Sequence, residues 1–579
     1  MKRLPALAFG VMVAATIFAF FLTDILKVAD PLVVGYPQPI PAAFNPVSGG
    51  TCPAKTPGTS LNYRRTSLPL QLFQAGTVAV YVVDNAGDTV ATISQGRSLK
   101  RFQRSVFFWK GFENGGKLAP DGRYFFKLLL VQQDQSIDLS QYPITVMTHD
   151  PHAPATSVLP TASGTAATPP VKSSGPAVLA RPGDSVTVHF AGGVYRRVWI
   201  DVYRASATGR LKRVYRFRVN PKADTATWNG NLVHSVPAPA GTYLLGITVQ
   251  DLACNPASYP ATLSPAPGTT PGAGVTVRYL AATPPLAPTP AGSRAAVRVY
   301  SPLGAFTWTL RLAGKRKVIA RGHAAGSSGS GEVTLKPRLP KADAGLYTLT
   351  LADAQYSTVV PLVASATGRL AARAHVLVVL PVLTWQGQNP VDDTGDGLPD
   401  TLAAGDQISL DRPLATGPPL GFRQDSALLT YLNSQHYHYQ LTTDVALAEG
   451  EGPSLAGRQG VALAGSETWL PSSLGPTLKR FVRGGGHLLS LGADSLIGSS
   501  EISGYPSDPV ASAPTQIPPD LFGTETSVAG ISDVAPAVSA LGLGKGSVVE
   551  IGLPNFNSTL LANADSRDLL NRIWQLLAS

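Results

Sequence analysis

Trp109-Lys110-Gly111 is followed by Gly122-Arg123-Tyr124, and Trp228-Asn229-Gly230 by Gly241-Thr242-Tyr243, with the same Trp-to-Tyr interval in both places. A spaced signature that recurs marks an internal duplication. In each copy Trp is expected to end a strand and fill a core, the glycines to permit the turn, and Tyr to open the strand that pairs back. Runs at 68–72, 78–83 and 124–131, bounded by turn residues such as Asp84-Asn85 and Asn114-Gly115-Gly116, read as strands of a β-sandwich over 61–150. Runs at 186–190, 198–203 and 243–249 repeat the pattern over 183–282. A third block, 293–374, keeps Gly345-Leu346-Tyr347 but has Glu332 where the Trp would fall, and reads as a diverged copy. Residues 31–60 read as an extended tether. Residues 151–182, rich in Pro, Ser, Thr and Ala, read as a stiff linker without a core.

Gly 57 and Pro 50 with only 14% charged residues argue against coiled coils and all-helical arrays, and 44% hydrophobic residues argue against wholesale disorder. The net charge of +11 first suggests nucleic acid, but it divides unevenly. Residues 1–375 carry +22 and residues 376–579 carry −11. Two bodies of opposite sign share the chain, so salt is expected to weaken contact between them. The basic stretches at 210–218 and 311–321 alternate on expected strands and read as solvated faces.

Lys2 and Arg3 precede an uncharged, mostly apolar stretch at 4–23, long enough to cross a hydrocarbon core. The favoured reading is an uncleaved anchor within 1–30, with a cleaved signal as the alternative. The bulk is then expected outside the cell membrane, where nucleic acid is not an expected partner and anionic lipids or envelope polymers stay open as candidates. Cys52 and Cys254 either pair in that oxidising exterior or stand as two inert thiols.

From Val376 the pattern changes to one of apolar strands and intervening helices. Strands are expected at 376–381, 437–441, 460–465 and 487–492, with helices at 425–435 and 475–483. Alternation of this kind implies a doubly wound α/β sheet over 375–579. Ligand sites in such sheets lie beyond the carboxyl ends of strands, which directs attention to Ser466 and Glu467 after Leu463. No cysteine follows Cys254, so a cysteine nucleophile is excluded here. Ser466 lacks a G-x-S-x-G elbow and an assignable His/Asp pair. Glu467 is a candidate acid, base or metal ligand, or a structural turn carboxylate.

Asp392, Thr394, Asp396 and Asp400, with the Leu398 carbonyl and Gly397 at the tight turn, follow the first nine positions of a calcium loop. Ala403 stands where the bidentate Glu would be, so the alternative is a solvated Asx/Gly turn. His436 and His438 would share one face of a strand, either as the start of a metal site or as an ordinary pair, and no third ligand is visible.

The W-x-G pattern followed by Pro120-Asp121-Gly122-Arg123-Tyr124 and Pro239-Ala240-Gly241-Thr242-Tyr243 resembles the immunoglobulin-like domain of the flagellar hook-capping protein. The second copy ends in Asp251-Leu252-Ala253-Cys254-Asn255, with Cys254 at the glycine of the family's D-x-x-G-N. This resemblance implies spacer or adhesion modules without catalysis. Gly465-Ser466-Glu467-Thr468-Trp469, with the Gly484-Gly485-Gly486 turn beyond, resembles the C-terminal domain of the N,N-dimethylformamidase large subunit. That implies a class I glutamine amidotransferase-like, flavodoxin-like head over 376–579. Glu467 falls on that family's glutamate and Thr468 replaces its usual aromatic. The family holds iron through tyrosines and a glutamate; no tyrosines can be matched, so iron and zinc are not carried over. The order of anchor, immunoglobulin-like repeats and head is similar to actinobacterial envelope proteins. The expectation is therefore a membrane-anchored stalk presenting a non-catalytic ligand-binding head to an envelope ligand, with hydrolysis of an amide or glycan centred on Glu467 as the alternative.

Overall fold

The computed structural model describes residues 9–18, 32–35, 37–49, 52, 62–160, 176–179, 184–206, 208–301, 304–326, 332–341, 344–414, 417–492, 494–517 and 538–579. Of the expected anchor, only 9–18 falls among them, as a helix with Phe9, Met12 and Phe18 exposed. Lys2, Arg3 and residues 19–23 lie outside the described residues. Among the described residues no helix is long and apolar enough to cross a membrane.

In the first sandwich, strands Thr66–Leu70 and Ser105–Trp109 form one sheet. The opposing sheet has the order Ala43–Phe44, Ile144–Val146, Gly122–Leu130, Gly76–Val83, Thr89–Leu99. The alternating burial of Gly122–Leu130 sends Tyr124, Phe126, Leu128 and Leu130 into the core between the sheets. Trp109 and Tyr124 therefore stand in opposite sheets rather than on strands that pair back, and their rings meet edge to face at 5.0 Å. The tether reading of 31–60 also needs correction. Ala43–Phe44 pairs in parallel with Thr145–Val146, and fully buried Phe44 packs on Trp109.

The second sandwich repeats the device. Trp228 and Tyr243 lie 5.6 Å apart. In both copies the indole N–H donates three residues onward, to the Phe112 carbonyl at 3.0 Å and the Asn231 carbonyl at 2.8 Å. In both copies the phenol donates four residues back, to the Pro120 and Pro239 carbonyls at 2.7 Å. Part of the expected linker belongs to this body: Thr156–Pro160 pairs with Val186–Phe190, and Ala177–Leu179 pairs with Val275–Val277. Pro160 is tolerated at the end of Thr156–Pro160 because that is an edge strand. The basic stretch on Leu211–Val219 is not wholly solvated, since Arg216 binds the fully buried Asp201 carboxylate through two nitrogens at 2.6 and 2.9 Å.

The third sandwich begins before residue 293, because Ala281–Thr283 pairs with Val297–Tyr300 and Thr289–Pro290 with Ala364–Ser365. Glu332 opens the strand Glu332–Leu335 of the same body.

The head holds a six-stranded sheet, here numbered β1 (Val376–Leu380), β2 (Tyr439–Thr443), β3 (Gly460–Ser466), β4 (His487–Leu491), β5 (Val538–Leu543) and β6 (Gly546–Ile551), in the order β2-β1-β3-β4-β6-β5. All pairs are parallel except β5 with β6. Its helices are α1 (Val382–Gly387), α2 (Phe422–Ser434), α3 (Asp444–Ala448), α4 (Leu474–Arg483), α5 (Phe556–Thr559) and α6 (Ala564–Ala578). Val376, Val378 and Leu380 pack with Leu428 and Leu432 of α2 and Leu570 and Trp574 of α6. Leu377 and Val379 pack on the opposite face with Leu474, Leu478 and Val482 of α4. Burial on both faces is why β1 reads as an uninterrupted apolar run.

Neutral contacts join head and stalk. Leu346 and Val363 of the third sandwich belong to the head's core cluster, and Leu414 of the head belongs to the sandwich's. Gln440 binds both backbone groups of Ala366, and the Thr443 hydroxyl donates to the Leu286 carbonyl at 2.8 Å. Arg298 with Asp411 is an ion pair across this junction. Most of the groups that join the two bodies here are uncharged.

Candidate functional site

Three carboxylates converge beyond the carboxyl ends of the central strands. Glu467 directly follows β3, Asp444 directly follows β2, and Asp425 lies in the first turn of α2. All three are buried, at 0%, 0% and 1% exposure. Asp444 caps α1, the helix that follows β1, by accepting from the backbone N–H groups of Val382 and Leu383, both at 2.9 Å. A carboxylate at a helix N-terminus satisfies donors that the helix itself leaves open. Asp425 accepts from the Trp385 indole at 3.1 Å, while its other oxygen has no donor. That oxygen lies over Gly465, where an added Cβ would stand 2.0 Å away, so only glycine fits at that strand end.

Neither carboxylate oxygen of Glu467 has a hydrogen-bond donor. The group it faces is the Asp444 carboxylate, and two carboxylates bond to each other only when one carries a proton. Burial, then the charge of Asp444 beside it, hold the Glu467 pKa well above the usual range. Burial also raises Asp444, opposed by the Glu467 bond and the α1 backbone groups. Asp425 is pushed up by burial to about 7, with the Trp385 bond opposing. Acids packed side by side in a dry interior favour the protonated form, because neither charge can be solvated there.

Ser466 ends β3 and packs on Gly492. The phenols of Tyr431 and Tyr437 both donate to Asn571, that of Tyr439 to Asn433 and that of Tyr505 to Glu451. All four tyrosines of the head are therefore bonded away from Glu467, and an iron site of tyrosines and a glutamate does not fit these residues.

The 392–400 loop is closed by its own backbone. Asp392 accepts from Gly395 N at 2.5 Å and Gly397 N at 2.8 Å, and Asp400 accepts from the N–H groups of Asp393 and Thr394 at 2.5 and 2.9 Å. Asp396 accepts from Leu398 N and, across the junction, from Gly268 N, both at 2.8 Å. Gly274 N donates to the Gly395 carbonyl and Thr270 to the Asp396 carbonyl, while Leu398 packs with Leu244 of the second sandwich. Asp392, Asp396 and Asp400 are buried, so the loop is not a solvated turn; burial pushes Asp392 up to about 7. Arg412, 2% exposed, ties the loop down through Asp393 at 3.1 Å and the Asp400 carbonyl at 2.9 Å. Among the described residues no three His, Cys, Asp or Glu side chains converge to hold a metal ion.

Cys52 and Cys254 form a disulfide. Cys254 has φ +70°, the conformation the D-x-x-G-N glycine would supply. His436 and His438 precede β2 instead of sharing a strand face, with His436 in a left-handed turn at φ +59°. Both line a cavity of about 310 Å³ between the third sandwich and the head, with Tyr347, Asn433 and Tyr437.

Asp425, Asp444 and Trp385 were not singled out in the sequence. The signal for Asp444 was present: it follows a strand, as Glu467 does. Asp425 is brought in from a helix and carries no local mark.

Solved structures similar to the chain include a marsupial T cell receptor (11% identity, 52% of this chain, 94% of that one, TM-score 0.21). The human OSCAR ligand-binding domain is another (14%, 37% and 89%, TM-score 0.20). A third is the N-terminal four Ig domains of Dscam1 (13%, 61% and 82%, TM-score 0.19). Similarity at these TM-scores carries no argument about function. None of the curated proteins compared matches the chain. Residues 332–505, from the last strands of the third sandwich through Tyr505 of the head, match the family described as N,N-dimethylformamidase beta subunit-like, C-terminal.

Proposed function

We propose that the chain is a membrane-anchored envelope protein whose stalk of immunoglobulin-like modules, of the hook-capping kind, presents an amidotransferase-like α/β head that binds a ligand without turning it over. The observation that carries this reading is the complete burial of Glu467 beside Asp444, which holds its pKa well above the usual range. A general acid or base must come within hydrogen-bond reach of the group it serves, and this one faces only protein. The cavity beside His436 and Tyr437 is the place for a ligand instead, at the boundary between two bodies where such sites gather. The Cys52–Cys254 disulfide supports an oxidising exterior. The exposed apolar helix at 9–18 supports the anchor at 4–23.

The second reading, hydrolysis of an amide or glycan, rests on Glu467 standing at a strand's carboxyl end. The test is amine release from N,N-dimethylformamide by the full chain and by Glu467→Gln, with metal content measured on the same samples. Equal, background-level release supports the binding head. Release that Glu467→Gln abolishes in a folded protein, or iron or zinc at one per chain, establishes the hydrolase.

A further inference from the structure

The end of the first sandwich that receives the chain from residues 4–23 is both aromatic and basic. Leu32 accepts from Phe73 N at 3.2 Å and Val34 N donates to the Gln71 carbonyl at 2.9 Å, which fixes the chain's entry beside the 71–76 loop. Phe73 meets Phe102 edge to face at 5.3 Å. The Arg101 guanidinium lies 4.7 Å from the Phe102 ring centre.

Phe102 is held out by its backbone. Its φ is +56°, a region where a bulky side chain is an outlier. The conformation is set from both sides: Phe102 N donates to the Leu72 carbonyl at 3.0 Å, and the Gln71 amide donates to the Phe102 carbonyl. Strain of this kind persists only where neighbouring bonds over-determine it, and here its result is an aromatic ring 45% exposed instead of one turned into the core. Val131, 47% exposed, comes to the same end through its N–H bond to the Thr77 carbonyl. Around these stand exposed Lys100, Arg101 and Arg104, against Asp134 as the carboxylate of the 131–134 turn.

Exposed apolar tips ringed by cations match a bilayer surface bearing anionic phosphate headgroups. Rings enter the boundary between headgroups and acyl chains while Lys and Arg take the phosphates. The reach is short. Residues 24–31 can span at most about 28 Å when fully extended, so an anchor at 4–23 leaves this end close to the surface it emerges from. We infer that the Phe102 end of the first sandwich seats on an anionic membrane surface, orienting the stalk. The inference rests on the anchor reading of 4–23.

The test uses the full chain in phosphatidylcholine vesicles with and without phosphatidylglycerol. An environment-sensitive fluorophore is placed at Phe102→Cys, and at Asn85→Cys in the turn at the opposite end of the hairpin as control. The expected result is a blue shift and several-fold gain in emission at position 102 alone, only with phosphatidylglycerol, lost in 1 M salt and in a Lys100→Gln/Arg101→Gln/Arg104→Gln variant. A water-like signal at 102 in vesicles that retain the chain through alkaline washing overturns the inference and leaves the anchor standing. Equal shifts with and without phosphatidylglycerol overturn the headgroup assignment. The same shift with soluble polyglutamate and no vesicles overturns the membrane in favour of a dissolved polyanion. A chain that washes off overturns the anchor, and the label is then read with vesicles added from solution, where the same shift upholds the surface and its absence rejects it.

Discussion

The carboxylate of Asp425 occupies the space that a side chain at Gly465 would need, with 2.0 Å between Oδ1 and an added Cβ. Gly465→Ala must move either a buried acid or the end of β3. Overpacking of this kind costs about 1–3 kcal/mol, here with the added loss of the Trp385 bond. Denaturant unfolding should show that loss, whereas Gly542→Ala, with nothing near its Cβ, should show far less.

The pH dependence follows from acids raised by burial. Glu467, Asp444, Asp425 and Asp392 all sit above their unfolded values, the last two near 7. Each binds its proton more tightly when folded, so its contribution is complete below about pH 4 and is lost as pH rises through the folded pKa. Thermal melts should therefore show the head more stable at pH 5 than at pH 8. Glu467→Gln, which cannot ionise, should flatten the difference; a head that gains stability between pH 5 and 8 would contradict the assignment.

The legible part of this molecule is the part whose pattern is local. The Trp–Tyr interval announced two equivalent sandwiches because both residues take partners a few positions away. The apolar runs of β1, β3 and β4 were readable because both faces are buried. Phe44 and Thr156–Pro160 were missed, since short edge strands beside prolines look like linker until a distant partner, Val146 or Val186–Phe190, pairs with them. The make-up of the junction was not legible for a related reason: net charge describes whole bodies, while the junction combines leucines, Gln440, Thr443 and backbone groups with the Arg298–Asp411 ion pair.

Docking of head on stalk depends on the bare Cα of Gly274. An added Cβ there would stand 2.3 Å from Asp392 Oδ2 and 2.6 Å from Gly397 N. Gly274→Ala should make the 392–400 loop open to limited proteolysis, while 1 M salt should not, because the loop's contacts with the second sandwich are neutral or backbone-held.

The calcium reading of Asp392, Thr394, Asp396, Leu398 and Asp400 meets carboxylates already bonded to backbone N–H groups. Chelation should leave the melting temperature unchanged. A rise of several degrees on adding calcium would restore the ion, since ligand binding to the folded form alone raises stability.

Removing Tyr124 or Tyr243 hydroxyls should have matched effects. Each phenol holds an equivalent proline carbonyl at 2.7 Å, so Tyr124→Phe and Tyr243→Phe should each cost about 1 kcal/mol. Chemical denaturation of each variant checks the match.

Glu467 is expected to stand as a protonated, structural acid facing Asp444. Infrared spectroscopy at pH 7 reads it directly through the C=O stretch of a protonated carboxyl. The predicted result is such a band in the native protein that disappears in Glu467→Gln while the melting temperature holds. Absence of the band, with Glu467 ionised at pH 7, would require a counter-cation in that interior and would rule out a protonated structural acid.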